Sequence, residues 1–315
     1  MQQVKNKIFF MLCIIIAPIY CHEHDTLNFC TAAESHYFPH LLNLIGSIHH
    51  TNFDNLDTIF IYDLGLSEQQ INQLNRIDKI KVCALEKTNP ELLKSFQVNA
   101  SGKCVPGWYA WKPVAIKQSL EHCENVVWLD AGTTVLKPLD NLFKHIQEHG
   151  YFLCTIGDET GPNTYAYPVA WGTTQYVIKQ FGLDDSGKSW ILAQPFIMAN
   201  FIGVSRRVMH KLVMPWYALT KDLKNFADDG TTPNGFGTGR CDQTLLSVLG
   251  YSADLCVFQQ DYTQNRPILL NVDDQEIPFY ITWNGEYVGD KTCVYSSRWD
   301  LKNSNFYNMC IKYKK

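Results

Sequence analysis

From residue 27 to residue 156, strand-like apolar runs alternate with stretches of helical spacing. That alternation restricts the chain to an α/β fold, a mostly parallel sheet with helices on both faces. Residues 27–33, 57–63, 79–84 and 126–130 give the first four strands, and 151–156 a fifth. Between them, Phe38, Leu41, Leu42, Ile45 and Ile48 repeat at helical spacing over 37–50. Ser67 caps a helix running to Leu74. Pro113 opens another, with Ile116, Leu120 and Cys123 on one face, and Pro138 opens one carrying Leu139, Leu142, Phe143 and Ile146.

The second half is less regular. Residues 157–175 read as loop. Strands are expected at 196–204, 253–258 and 278–283, and helices at 205–220 and 242–249. A Gly/Asn/Pro loop at 229–240 precedes the last helix. No linker separates the halves, so residues 22–315 are expected to form a single domain.

Lys5 and Lys7 stand before an apolar stretch from Ile8 to Tyr20, and polar His22-Glu23-His24-Asp25 follows. This is the pattern of a secretory leader over residues 1–21. At about 13 residues the stretch is short of the ~20 a membrane span needs, although an uncleaved anchor is the other reading. Export implies the secretory lumen, the periplasm or the extracellular space, where disulfides form. Cys30, Cys83 and Cys154 lie in strand-like runs and read as core thiols. Cys104, Cys123, Cys241, Cys256, Cys293 and Cys310 form an even set, with Cys293–Cys310 the favoured pair. Asn99-Ala100-Ser101 is the single glycosylation sequon. A net charge of −4 without a basic block excludes nucleic acid as a partner. The pairs His49-His50 and His145 with His149 read as surface residues.

Five places carry candidate chemistry. The apolar run Val126-Val127-Trp128-Leu129 ends in Asp130, followed by Ala131 and Gly132. Ligands in open α/β sheets bind beyond the carboxyl ends of the strands, and the small residues leave room for one to approach. The alternative is a carboxylate that merely ends a strand. Thr31-Ala32-Ala33 after the first strand suit the approach of a planar base or ribose, or simply a tight turn. Asp63 ends the second strand, either accepting ribose hydroxyls or capping its own turn. Gly235-Phe236-Gly237-Thr238-Gly239 offers backbone N–H groups to an anion at a helix start, and Arg240 adds a bidentate fork. Asp242 is either a helix cap or a site group. Lys112, within Trp108-Tyr109-Ala110-Trp111-Lys112-Pro113, either meets a diphosphate or is a solvated lysine.

Taken together these segments resemble a nucleotide-diphospho-sugar glycosyltransferase of the GT-A fold, family 8-like. The resemblance rests on Trp111-Lys112-Pro113 before a helix, on Val127-Trp128-Leu129-Asp130-Ala131-Gly132, on Asn200-Phe201-Ile202-Gly203-Val204, and on Asp242-Gln243 followed by Leu245 and Leu246. It covers residues 25–260. It implies a nucleotide-sugar donor, a UDP-sugar by preference, and a glycan, lipid or protein acceptor. It places Thr31, Ala32 and Ala33 near the base, Asp130 at the ribose or at Mn²⁺ or Mg²⁺, and Asp242 and Gln243 beside the donor sugar as catalytic groups. Gly132 stands where the second aspartate of the family's D-x-D motif belongs. Three readings follow: a metal held by one carboxylate, diphosphate and waters; a metal-independent site with Lys112 and Arg240 neutralising the leaving group; or a catalytically degenerate carbohydrate-binding or interaction protein on the same scaffold.

Overall fold

The structure, a computed structural model, describes residues 26–156, 167–185, 187–260, 267–282, 290–296 and 307–314. The expected leader and most of the loop at 157–175 lie outside these residues. The elements follow the order β1 (Leu27–Ala33), α1 (Phe38–Asn52), β2 (Leu56–Asp63), α2 (Glu68–Leu74) and β3 (Ile80–Ala84). A hairpin of β4 (Ser95–Gln97) and β5 (Cys104–Pro106) leads into α3 (Trp111–Ser119). Next come β6 (Asn125–Leu129), β7 (Thr133–Val135), α4 (Asp140–His149), β8 (Tyr151–Phe152) and β9 (Cys154–Ile156). The second half holds α5 (Gln175–Phe181), β10 (Phe201–Ser205), α6 (Met214–Leu219), α7 (Cys241–Ser252) and β11 (Phe258–Gln260). The hairpin β12 (Ile268–Val272) and β13 (Gln275–Phe279), then β14 (Ile281–Thr282) and β15 (Val294–Ser296), complete the strands.

The principal sheet has the order β3-β2-β1-β6-β10-β8. β3, β2, β1 and β6 run parallel, while β10 is antiparallel to both of its neighbours. The chain thus starts in the middle, winds outward to β3, and returns on the far side of β1. The winding reverses between β1 and β6, and the crevice at such a reversal is where open α/β sheets bind ligands.

Successive strand residues point to opposite faces and feed two cores. Phe60, Tyr62, Val126 and Trp128 pack with α3, α6 and α7. Ile59, Ile61, Val127 and Leu129 pack with α1 and α4. Helices therefore cover both faces, as the alternation predicts. Ser67 caps α2 with a reciprocal box, its side chain accepting from the Gln70 amide while the Gln70 side chain accepts from the Ser67 amide.

Several expectations need correction. The helix expected over 205–220 is a π turn at Met209–Val213 followed by α6. Pro215 explains the widening, because it lacks an amide and its ring crowds the carbonyl one turn back. The strand expected at 196–204 is regular only from Phe201, since Ile197 and Met198 bond sideways to Thr155 and Cys154. The strand expected at 253–258 starts at Phe258. Cys30, Cys83, Cys104, Cys123, Cys154, Cys241, Cys256, Cys293 and Cys310 are all free thiols, so the Cys293–Cys310 tie does not form. Cys293 instead turns to the Lys291 carbonyl and Cys310 to His50. His49 and His145 are buried rather than on the surface. Among the described residues no helix is long and apolar enough to cross a membrane.

Candidate active site

At the carboxyl end of β6 four elements meet around one buried ammonium. Lys112, in the first turn of α3, is 3% exposed. Its Nζ lies 3.2 Å from Asp130 Oδ1 and 2.7 Å from Asp242 Oδ2, and donates to the Ala199 carbonyl at 2.8 Å. Asp130 follows β6 directly, Ala199 precedes β10, and Asp242 is the second residue of α7. The rings of Tyr109, Trp111 and Trp128 surround the ammonium with centroids 5.5–5.9 Å away. Such rings stabilise a desolvated cation that water no longer reaches.

The electrostatics follow from that burial. Desolvation pulls Lys112 down, but Asp130 and Asp242 outweigh it and hold the ammonium above its ordinary value. Burial pushes the Asp242 carboxyl above its usual range, against the pull of Lys112. One ammonium against two carboxylates leaves a single net negative charge when all three are ionised. Asp130 is the more open carboxylate, with a side chain 28% exposed. The Trp128 indole donates to its Oδ1 at 2.8 Å and fixes its direction. Asp242 Oδ2 faces the ammonium at 2.7 Å and forms the tighter of its two ion pairs. Asn200 gives its backbone carbonyl to the Asp130 amide at 3.0 Å, and its own Oδ1 is buried without a partner. Buried polar atoms are almost always satisfied, so this orphan, on the residue whose backbone pairs with Asp130, calls for a partner.

The other expected residues divide. Thr31, Ala32 and Ala33 lie inside β1 rather than in a loop after it, all buried, and the Thr31 hydroxyl has no partner. Ala131 and Gly132 are buried too, so the room expected over them is not there, and Asp130 alone of the three keeps partial exposure. Asp63 pairs in register with Ala33, two strand spacings or about 10 Å from β6. Its Oδ1 accepts from Gly65 and Leu66 at 2.8 and 2.7 Å. The carboxylate caps its own turn and does not join Asp130 and Asp242. Gln243 is half-buried beside Asp242, and its side-chain amide makes no hydrogen bond among the described residues.

The glycine-rich loop does cradle an anion, but the anion is internal. Asp228, 7% exposed, accepts from Gly230 at 3.0 Å, Gly237 at 2.8 Å and Gly239 at 2.9 Å. A side chain at Gly239 would strike this carboxylate, its Cβ falling 2.8 Å from Oδ2. Arg240, next in the chain, is exposed and lies over the Trp171 ring, with Cζ 5.1 Å from the centroid. Asp228 and Trp171 were missed in the sequence; the available signal was the turn-forming Asp228-Asp229-Gly230 ahead of the loop. Nothing in the sequence around Trp108 and Tyr109 announces their backbone, yet both are left-handed, at φ 48° and 67°. Strain of that kind persists only where its surroundings enforce it, and it sits here within one turn of Lys112.

The donor set fits a resident divalent ion poorly. Oxygen-rich sites need several carboxylate or carbonyl ligands facing one point. Asp130 Oδ1 already serves Trp128 and Lys112, Asp242 faces Lys112, and Gly132 contributes no carboxylate. The position between the two aspartates is filled by the protein's own ammonium. Among the described residues no three His, Cys, Asp or Glu side chains gather closely enough to hold a metal.

No protein-family model matches the sequence, and no curated protein matches it. Among solved structures the chain is similar to the galactosyltransferase LgtC in complex with donor and acceptor sugar analogues. That likeness has a TM-score of 0.48 and 12% identity over 92% of this chain and 98% of that one. An active-site mutant of LgtC gives 0.49 and 11% over the same shares. Mouse xyloside xylosyltransferase 1 in its apo form gives 0.46 and 11%, over 88% of this chain and 98% of that one. The structures to which the chain is similar are thus glycosyltransferases.

Proposed function

We propose that this chain moves a sugar from a nucleotide diphosphate sugar, a UDP-sugar by preference, to an acceptor hydroxyl on a glycan, lipid or protein. The observation that carries the reading is the Asp130–Lys112–Asp242 cluster at the sheet's reversal point, with Asn200, whose side-chain oxygen lacks a partner, joined to Asp130 through the backbone. When the bond between the anomeric carbon and the diphosphate oxygen breaks, positive charge grows on the sugar ring and negative charge on the departing phosphate. Fixed groups aimed at such charge lower the barrier without reorganising. The net negative cluster suits the sugar side of that separation, with Asp130 as its exposed face. Asn200 Oδ1 accepts from a ligand hydroxyl. Asp242 and Gln243, at the start of α7, stand beside the donor sugar.

The same reading makes the reaction metal-independent, with Lys112 doing the organising that Mn²⁺ or Mg²⁺ would do. Lys112 is saturated by its own partners, so the cation left for the leaving phosphate is Arg240. The reading includes export through the leader at residues 1–21, in a form that needs no disulfide.

Thermal melts with UDP or GDP, with and without Mn²⁺, test this. A ligand at about 100 times its Kd stabilises the native state by about 2.7 kcal/mol. The expected result is a rise of several degrees with UDP, unchanged by Mn²⁺ or by a chelator, and slow release of UDP from a UDP-sugar. Asp130→Asn is expected to lower that release at least a hundredfold, the scale of losing one preorganised electrostatic group. No shift with any nucleotide overturns the proposal. A shift without turnover from any nucleotide sugar leaves the degenerate binding protein as the correct reading.

A further inference from the structure

Arg240 is an exposed cation two residues from Asp242, and no acid pairs with it among the described residues. An unpaired surface arginine ordinarily samples many rotamers, and ordering it on binding costs affinity. Here the side chain is already held. Its guanidinium lies over the Trp171 indole, 5.1 Å from the ring centroid. Tyr167 stacks on the same indole at 4.6 Å with 22° between the rings. The backbone is held as well. The Arg240 amide donates to the Gly172 carbonyl at 3.2 Å, and Thr244 Oγ1 donates to the same oxygen at 3.1 Å. Gly172 has no room for a side chain, since its Cβ would fall 2.7 Å from Arg240 Cγ and 2.9 Å from the Thr238 carbonyl. On the amino side, Asp228 gathers Gly237 and Gly239. Every local contact fixes where the arginine stands, and none uses its five donors.

We propose that Trp171, backed by Tyr167, is a positioning residue that preorganises Arg240 as the fork for the terminal phosphate of the donor's diphosphate. The inference rests on the glycosyltransferase reading and names the residues that serve its leaving group. A planar guanidinium laid on an aromatic ring keeps its edge free, and that edge matches two oxygens of a phosphate. The arrangement also divides the labour of the two cations. Lys112 is enclosed and spends its donors on protein oxygens, whereas Arg240 is exposed and spends none.

The test measures binding of UDP, UMP and uridine to the wild-type chain and to Trp171→Ala, Trp171→Phe, Arg240→Ala and Arg240→Lys, by calorimetry at two salt concentrations. The expected result is a roughly tenfold loss of UDP affinity in both alanine variants, with UMP and uridine little changed. The double variant should lose no more than either single one, since both act through one contact. Phenylalanine at 171 should restore most of the affinity, and lysine at 240 should restore little. Arg240→Ala should also flatten the salt dependence of UDP binding. Arg240 is exposed, so its variants fold and keep the test decisive if Trp171→Ala does not. Unchanged UDP affinity in Trp171→Ala, or an equal loss for uridine, overturns the inference while leaving the function standing. So does a change confined to an acceptor's KM, which would make the stack an acceptor platform. Failure of the wild type to bind any nucleotide diphosphate overturns the function, and this inference with it.

Discussion

Removing the Lys112 ammonium leaves the Asp130 and Asp242 carboxylates facing a cavity with no counter-charge. Breaking a buried ion pair by deleting one partner typically costs about 3–5 kcal/mol, because the surviving charge stays desolvated. Lys112→Met is therefore expected to lower unfolding stability at neutral pH by about that amount, read by urea denaturation. The gap should narrow in acid, where the carboxylates protonate. The alkaline side has the opposite sign. The folded state holds the Lys112 proton above its ordinary value of 10.5, so its contribution is complete below 10.5 and lost as the pH rises through the folded value. The wild type should show this alkaline loss in excess of the methionine variant. The sequence marked Lys112 as a candidate because it stands among aromatics at a helix start. Its saturation was not legible there, because both carboxylates and the Ala199 carbonyl come from distant segments that only the fold brings together. Asp63 shows the converse. Its turn-capping role was one of two readings open in the sequence, and the bonds to Gly65 and Leu66 decide for it.

Elements built from local rules came through at close range, and elements set by tertiary contact did not. β1, β2 and the Ser67-capped α2 have the bounds that periodicity and capping predict, or differ by a residue. The loop at 229–240 was legible as a loop but not as a closed anion cradle, since nothing in its glycine spacing names the anion. Asp228 supplies it. Asp228→Ala removes the acceptor of three amides at once. An unsatisfied buried donor costs about 1–3 kcal/mol, and water entering an opened loop relieves part of it. The expected outcome is a loss at the lower end of that range, with faster amide exchange at Gly237 and Gly239. UDP affinity should fall together with the loop's order, because Arg240 is the next residue. Asp228→Asn keeps one oxygen acceptor and is expected to retain a larger share of both.

At the scale of the whole molecule, residues 307–314 pack beside the amino end of β3, away from the candidate site at the carboxyl end of β6. The strand order was half legible: alternation gave a mostly parallel sheet, but nothing local announced that β10 would insert antiparallel between β6 and β8. Nor did it show that residues 307–314 dock against α1 and the turn before β3. Tyr313 bridges Ile77, the Asp78 amide donates to the Lys312 carbonyl at 2.9 Å, and the Lys314 amide donates to Arg76. Gly46 admits the segment, since a Cβ there would overlap the Tyr307 carbonyl. The contact is sensitive to acid through His49, whose Nδ1 accepts from the Lys312 amide at 3.0 Å. That bond requires the neutral ring with its proton on Nε2, and Nε2 is buried without a partner. Burial, with Lys312 and Lys79 nearby and Asp78 only partly opposing them, lowers His49 from 6.5 to about 4. Between those values the unfolded chain binds the proton and the folded one does not. Stability from His49 is therefore complete above pH 6.5 and falls as the pH drops to about 4, by about 3 kcal/mol in all. His49→Asn keeps an acceptor for Lys312 without titrating. Urea denaturation from pH 7 to pH 4 should show the wild type losing stability faster than this variant. The Lys312 amide should lose its exchange protection over the same interval in the wild type alone. Parallel pH profiles for the two proteins would mean that the terminal segment is held by its backbone bridges, with His49 a bystander.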